Sequence, residues 1–150
     1  MKTHVMVDKH DSAFTLVEIL IVVVILGILA IIVIPQFSNA SQASKENSTK
    51  MDLHRIRTQL EIYKQQHTST HPTLVNFENS MTQASDLLGN TAPNGTPGYR
   101  FGPYLRFIPR NKYTNDNTIS DGAVGTSGWY YNETTGEFRA NHEATARTDW

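Results

Sequence analysis

The chain has no cysteine, which excludes a structural disulfide, a thiolate nucleophile and a Cys-ligated zinc. Charge of either sign is scarce: 13 Lys and Arg stand against 14 Asp and Glu, for a formal net charge of −1. Nucleic-acid partners select clustered basic surface, and without a basic excess none is expected. The sequence also lacks a Gly-rich phosphate loop, carboxylates paired at a defined spacing, and a Ser/His/Asp arrangement. These absences point away from an enzyme. The most consequential absence is local. From Ile19 to Ile34, sixteen residues run without one polar side chain.

That run begins earlier, at Phe14. Phe14 to Ile34 would be about 31 Å long as a helix at ~1.5 Å per residue, enough to cross a bilayer core of about 30 Å. Ile and Val are mediocre helix formers in water, but lipid leaves backbone groups no other partner, so the helix wins. Gly27 either lets a second helix approach closely or is a tolerated glycine. Pro35 removes a backbone donor and clashes with the carbonyl of Ile31, so a kink or local unwinding is predicted over 31–35. It is not a stop, because the helical pattern resumes beyond it. Glu18 is the anomaly. A carboxylate among lipid tails costs roughly 2.5–3.5 kcal/mol, which makes it a functional residue by default. The alternative is that it sits near the helix end and reaches the headgroups.

A secretory signal peptide would have a shorter apolar core followed by an Ala-x-Ala cut, and Pro35-Gln36-Phe37-Ser38 offers none. Ahead of the run, residues 1–13 form a polar leader. Its Lys2 and Lys9 balance Asp8 and Asp11, a weak orientation signal. His4 and His10 read as solvated.

Ala13-Phe14-Thr15-Leu16-Val17-Glu18, followed by an apolar helix with Gly27 and Ile34-Pro35, resembles the N-terminal motif of type IV prepilins and type II secretion pseudopilins. The resemblance implies a cut between Ala13 and Phe14 by a prepilin peptidase, and N-methylation of Phe14 by the same enzyme. It implies an assembly role for Glu18, fifth residue of the processed chain. Gly usually precedes the cut in this family; here Ala13 does. The resemblance further implies an inner-membrane, single-pass subunit with its C-terminal domain in the periplasm. Its partners would be lipid, further copies of itself, minor pseudopilins and an inner-membrane assembly platform with its ATPase.

Beyond Pro35 a polar stretch leads to Leu53, Ile56, Leu60 and Tyr63, spaced three, four and three apart. This predicts an amphipathic helix over 38–67 whose apolar stripe carries the core. Phe14 to His67 would then span about 80 Å at ~1.5 Å per residue. His67 and His71 have a metal-ligand spacing, yet straddle the predicted helix end and lack a third ligand. Ser80 is read as the cap of a short helix from Met81 to Leu88, stopped by Gly89, with Leu87 and Leu88 as anchors. Tyr104 to Ile108 reads as a strand between prolines. The piece Gly102-Pro103-Tyr104-Leu105 with Ile108-Pro109 also resembles major pseudopilins, although Arg110-Asn111-Lys112 departs from their usual continuation. Trp129–Asn132 and Glu137–Ala140 around Glu133-Thr134-Thr135-Gly136 predict a β-hairpin. The last ten residues, ending in Trp150, are polar.

No resident cofactor is expected, with one open reading. Asn115, Asp116, Asn117, Ser120 and Asp121 crowd the 115–121 loop, where oxygen ligands suit Ca²⁺ and the same residues suit turns. The pseudopilin resemblance implies a Ca²⁺ site in this region. The fold class expected is α+β, type IV pilin-like. A long N-terminal helix would pack on a small antiparallel sheet, in three parts: leader 1–13, membrane and filament-core helix 14–37, and periplasmic domain 38–150. Within the last, loops and the hairpin fill 68–150. The function implied is a structural subunit of a periplasmic filament that drives protein export. The alternatives are a type IV or competence pilin, and a singly anchored periplasmic binding protein holding a ligand on Trp129 and Tyr130.

Overall fold

In a computed structural model, residues 14–142 are described. The leader, including Ala13, and the C-terminal residues, including Trp150, lie outside the described residues. Two compact units divide the chain, Met1–Ser41 and Gln42–Trp150. Helix α1 spans Leu16–Gln66, and its helical backbone runs through residues 31–35 without a stop.

In the first unit, the apolar side chains of α1 are all exposed, from Leu16 at 82% to Val33 at 43%. None of the described residues of the unit buries them. A helix apolar all round requires an apolar surround, which is what a membrane span provides.

In the second unit, the stripe Leu53, Ile56, Leu60 and Tyr63 is buried as its spacing predicts. It extends by one turn at each end, to Thr49 and His67, both buried. The stripe packs with Phe77, Met81, Leu105, Ile108, Trp129, Tyr131 and Phe138 into one core. The end of α1 is built by Thr68 and Ser69, both in the left-handed region at φ 55 and 62. They turn the Ser69 N–H back to the Lys64 carbonyl at 2.9 Å, satisfying an orphan carbonyl of the last turn.

The short helix is real but four residues earlier than expected. Helix α2 runs Phe77–Thr82, with Asn76 at its N-cap making no side-chain capping bond. Phe77 and Met81, four apart, are its buried face. Ser80 therefore lies inside the helix rather than capping it. The chain leaves the helix at Gln83 because residues 84–85 pair elsewhere: β1 (Ala84–Ser85) is antiparallel to β2 (Thr91–Ala92). Gly89 serves the turn between these strands, at φ 85. That turn is held by Asp86, whose Oδ1 accepts the N–H groups of Leu88 and Asn90, both at 2.9 Å. Leu87 and Leu88 ride on its outside, exposed, and anchor nothing.

Residues 104–108 form no strand. Leu105 and Ile108 are buried, but the backbone N–H groups of Tyr104 and Leu105 both donate to the Met81 carbonyl, at 3.0 and 2.8 Å. The end of α2 captures the donors that a sheet would have used.

The hairpin forms as predicted. β4 (Trp129–Tyr131) is antiparallel to β5 (Phe138–Ala140), with Tyr131 opposite Phe138. A strand absent from the sequence reading, β3 (Ile119–Ser120), adds to β4 in parallel, so the sheet is mixed rather than purely antiparallel. Trp129 and Tyr131 point into the core, and each ties its polar tip to a distant loop. Trp129 Nε1 donates to the Pro109 carbonyl at 2.7 Å, and Tyr131 Oη to that of Pro72 at 2.8 Å. Burial pushes the Tyr131 phenol well above its ordinary pKa and keeps it a donor.

Candidate functional site

The first turn of α1 carries the site. Thr15 and Glu18 close a reciprocal ring. The Glu18 N–H donates to Thr15 Oγ1 at 3.2 Å, while the Thr15 N–H donates to Glu18 Oε2 at 3.0 Å. The Thr15 hydroxyl also donates to Oε2, at 3.1 Å. This is a capping box with Thr15 as N-cap and Glu18 three residues on, and it fixes where the helix starts. The Thr-x-x-Glu spacing carries that signal in the sequence, beneath the stronger pattern of the apolar run. The carboxylate lies at the positive end of the helix dipole, where a negative charge is stabilised. Its other oxygen, Oε1, makes no hydrogen bond among the described residues. Phe14, immediately ahead, is 79% exposed. The site is an exposed N-terminal segment beside a half-occupied carboxylate, at the head of a helix apolar on every face.

The remaining candidates resolve otherwise. His67 is a core residue with both ring nitrogens engaged, Nδ1 with the Tyr63 carbonyl at 2.8 Å and Nε2 with Ser85 Oγ at 3.0 Å. His71 instead sets its ring against Gly136, so closely that a Cβ there would fall 2.4 Å from Nε2. Trp129 is fully buried, and Tyr130 is covered by Arg139, whose guanidinium lies 3.8 Å from the ring centroid. The aromatic platform that a ligand-binding protein would need is therefore spent on the fold.

In the 115–121 loop, both carboxylate oxygens of Asp116 are taken by Thr118. Its N–H donates to Oδ1 at 3.1 Å and its hydroxyl donates to Oδ2. These bonds hold the Asp116 carboxyl below the usual carboxylate range. Ser120 Oγ donates to Ser127 Oγ at 2.8 Å. No group of three or more His, Asp or Glu that could hold a metal occurs among the described residues. Asp116 and Ser120, two of the five candidate oxygen ligands, are thus engaged within the loop.

Residues 8–34 match the family description "Prokaryotic N-terminal methylation motif". The chain is 31% identical to the type II secretion system core protein G of Vibrio cholerae, over 79% of this chain and 77% of that protein. It is 34% identical to the protein of that name from Pseudomonas aeruginosa, over 71% of each. For that of Aeromonas hydrophila the identity is 30%, over 80% of each. No solved structure matches the chain. The motif and the α+β fold on a long N-terminal helix define a pilin-like structural subunit. Within that class, the chain belongs to the type II secretion system core protein G family, the major pseudopilins. Among the described residues one helix, near the N-terminus, is long and apolar enough to cross a membrane, which fits a single-pass, membrane-anchored protein.

Proposed function

We propose that this chain is the filament-building subunit of a type II secretion pseudopilus and has no catalytic role. A prepilin peptidase hydrolyses the Ala13–Phe14 bond on the cytoplasmic side and N-methylates the amine this frees on Phe14. The subunit waits in the inner membrane with its C-terminal domain in the periplasm. An assembly platform with its ATPase then moves it into a helical filament with further copies and minor pseudopilins.

The observation that carries the reading is the half-occupied Glu18 carboxylate. The capping box uses Oε2 and, among the described residues, leaves Oε1 without a hydrogen bond beside the exposed Phe14. In lipid, an under-partnered carboxylate is costly, and a cationic amine from an adjacent subunit removes that cost. A contact of this kind joins two different surfaces of successive subunits. It does not close on itself, and so it propagates into a fibre.

Two measurements test the reading. Intact mass of the protein from its native membrane should correspond to a chain starting at N-methylated Phe14. Glu18→Leu should leave membrane insertion intact and abolish filaments. Wild-type filament formation by Glu18→Leu would overturn the pairing role, and an unprocessed N-terminus would overturn the pathway.

A further inference from the structure

We propose that the loop from Arg110 to Gly128 is closed by two of its own side chains, the Asn111 amide and the Arg110 guanidinium, and takes no Ca²⁺. Asn111 is fully buried at the loop's root. Its Nδ2 donates to the Gly128 carbonyl at 2.7 Å and its Oδ1 accepts the Tyr113 N–H at 2.9 Å. Its main chain closes the turn as well, with its N–H on the Asp116 carbonyl at 2.9 Å and its own carbonyl on the Asn115 N–H at 2.8 Å. Arg110 adds a positive charge on the rim, where Nη1 donates to the Asn115 carbonyl at 2.7 Å.

These contacts engage backbone oxygens that a hard cation would collect. Ca²⁺ asks for about six to eight oxygens at roughly 2.3–2.6 Å, carboxylates prominent among them. Here the carbonyls of Asn111, Asn115, Asp116 and Gly128 each already face a donor. The Asp116 carboxylate is turned onto Thr118. Space is closed too: a Cβ on Gly128 would fall 2.1 Å from the Asp116 carbonyl oxygen, so the two arms of the loop touch directly. Charge agrees. Arg110 and Lys112 cancel Asp116 and Asp121 over residues 110–128, leaving no excess negative charge to attract a divalent ion.

The test uses the full chain in detergent and does not depend on filament formation, so its failure and that of the pseudopilus reading are separable. Thermal midpoints followed by circular dichroism should agree within about 1 °C in excess EGTA and in millimolar CaCl2, with no binding heat on calorimetric titration. A site held a hundredfold above its Kd would instead raise the midpoint by about 10 °C or more in a domain of this size, and that result would overturn the proposal. Arg110→Gln, at an exposed position where folding is not at risk, should lower the midpoint by a few degrees equally in both solutions. No change in that midpoint, or its recovery with CaCl2, would also overturn it.

Discussion

His67 and Ser85 face each other across the buried end of the long helix, imidazole Nε2 to hydroxyl at 3.0 Å. The Tyr63 carbonyl can only accept, so His67 Nδ1 carries a proton, and Nε2 pairs with the Ser85 hydroxyl. The ring also stacks on Tyr63, centroids 3.8 Å apart. His67→Phe keeps the stacking area and takes the imidazole from the Ser85 hydroxyl, while the Tyr63 carbonyl keeps the backbone N–H of residue 67. It should cost about 2 kcal/mol in a urea melt, the range for orphaned buried polar groups. His67→Phe with Ser85→Ala should recover part of the loss, and the double-mutant cycle measures how much the pair is coupled.

At the start of the helix, Thr15→Val removes the hydroxyl and with it two of the three bonds of the capping box, leaving the backbone N–H of residue 15 on Glu18 Oε2, while preserving shape. The first turn should fray, at a cost of about 1 kcal/mol. Glu18 is then held by that one backbone N–H and less firmly positioned. Filament yield should fall while membrane insertion does not, and Thr15→Ser should restore it. Equal filament yield from Thr15→Val and wild type would show that the box does not position Glu18.

At the other end, Ser69 holds φ 62 on the surface, a conformation that favours glycine. Ser69→Gly relieves that strain and keeps the Ser69-to-Lys64 backbone bond. The gain is partly offset by greater freedom of the unfolded chain. A net rise in stability of about 0.5 kcal/mol is expected from denaturant titration, whereas Ser69→Val should lose stability.

Asp116 gives the loop a pH signature. Hydrogen bonds from Thr118 lower its folded carboxyl below the ordinary aspartate value of 3.8. Its contribution is therefore fully present above pH 3.8 and is lost as the pH falls through the folded value. Asp116→Asn should remove this part of the acid dependence while wild type retains it. Amide exchange of residues 111–118, followed from pH 6 down to pH 2, reads the difference.

The elements legible in the sequence were those set by local spacing. The stripe from Leu53 to Tyr63 declares a helix face at 3.6 residues per turn, and Glu133-Thr134-Thr135-Gly136 between aromatic runs declares a hairpin. Elements set by distant backbone groups were not legible. Two-residue strands such as Ala84–Ser85 exist only because Thr91–Ala92 and Phe101 supply their partners. Residues 104–108 have strand composition, yet their donors go to Met81. The start of α2 was misplaced because Ser80 is a good cap by type, whereas burial of Phe77 decided the matter. At the site, Glu18 was legible as an oddity among apolar residues. What was not read was its local partner, Thr15, three positions away in plain view. The buried Asn111 was invisible because every group it satisfies belongs to the loop it helps to form.

The bare apolar surface of residues 16–34 has a thermodynamic consequence. A helix leaving lipid for a bundle of its own copies exchanges one oily surrounding for another, and no water is released. The association then rests on close packing and on polar pairs, which are modest terms in such a medium. A fibre built this way should be indifferent to the salts that strengthen water-driven assemblies. It should come apart in mild detergent, which offers each helix an equivalent coat without the geometry.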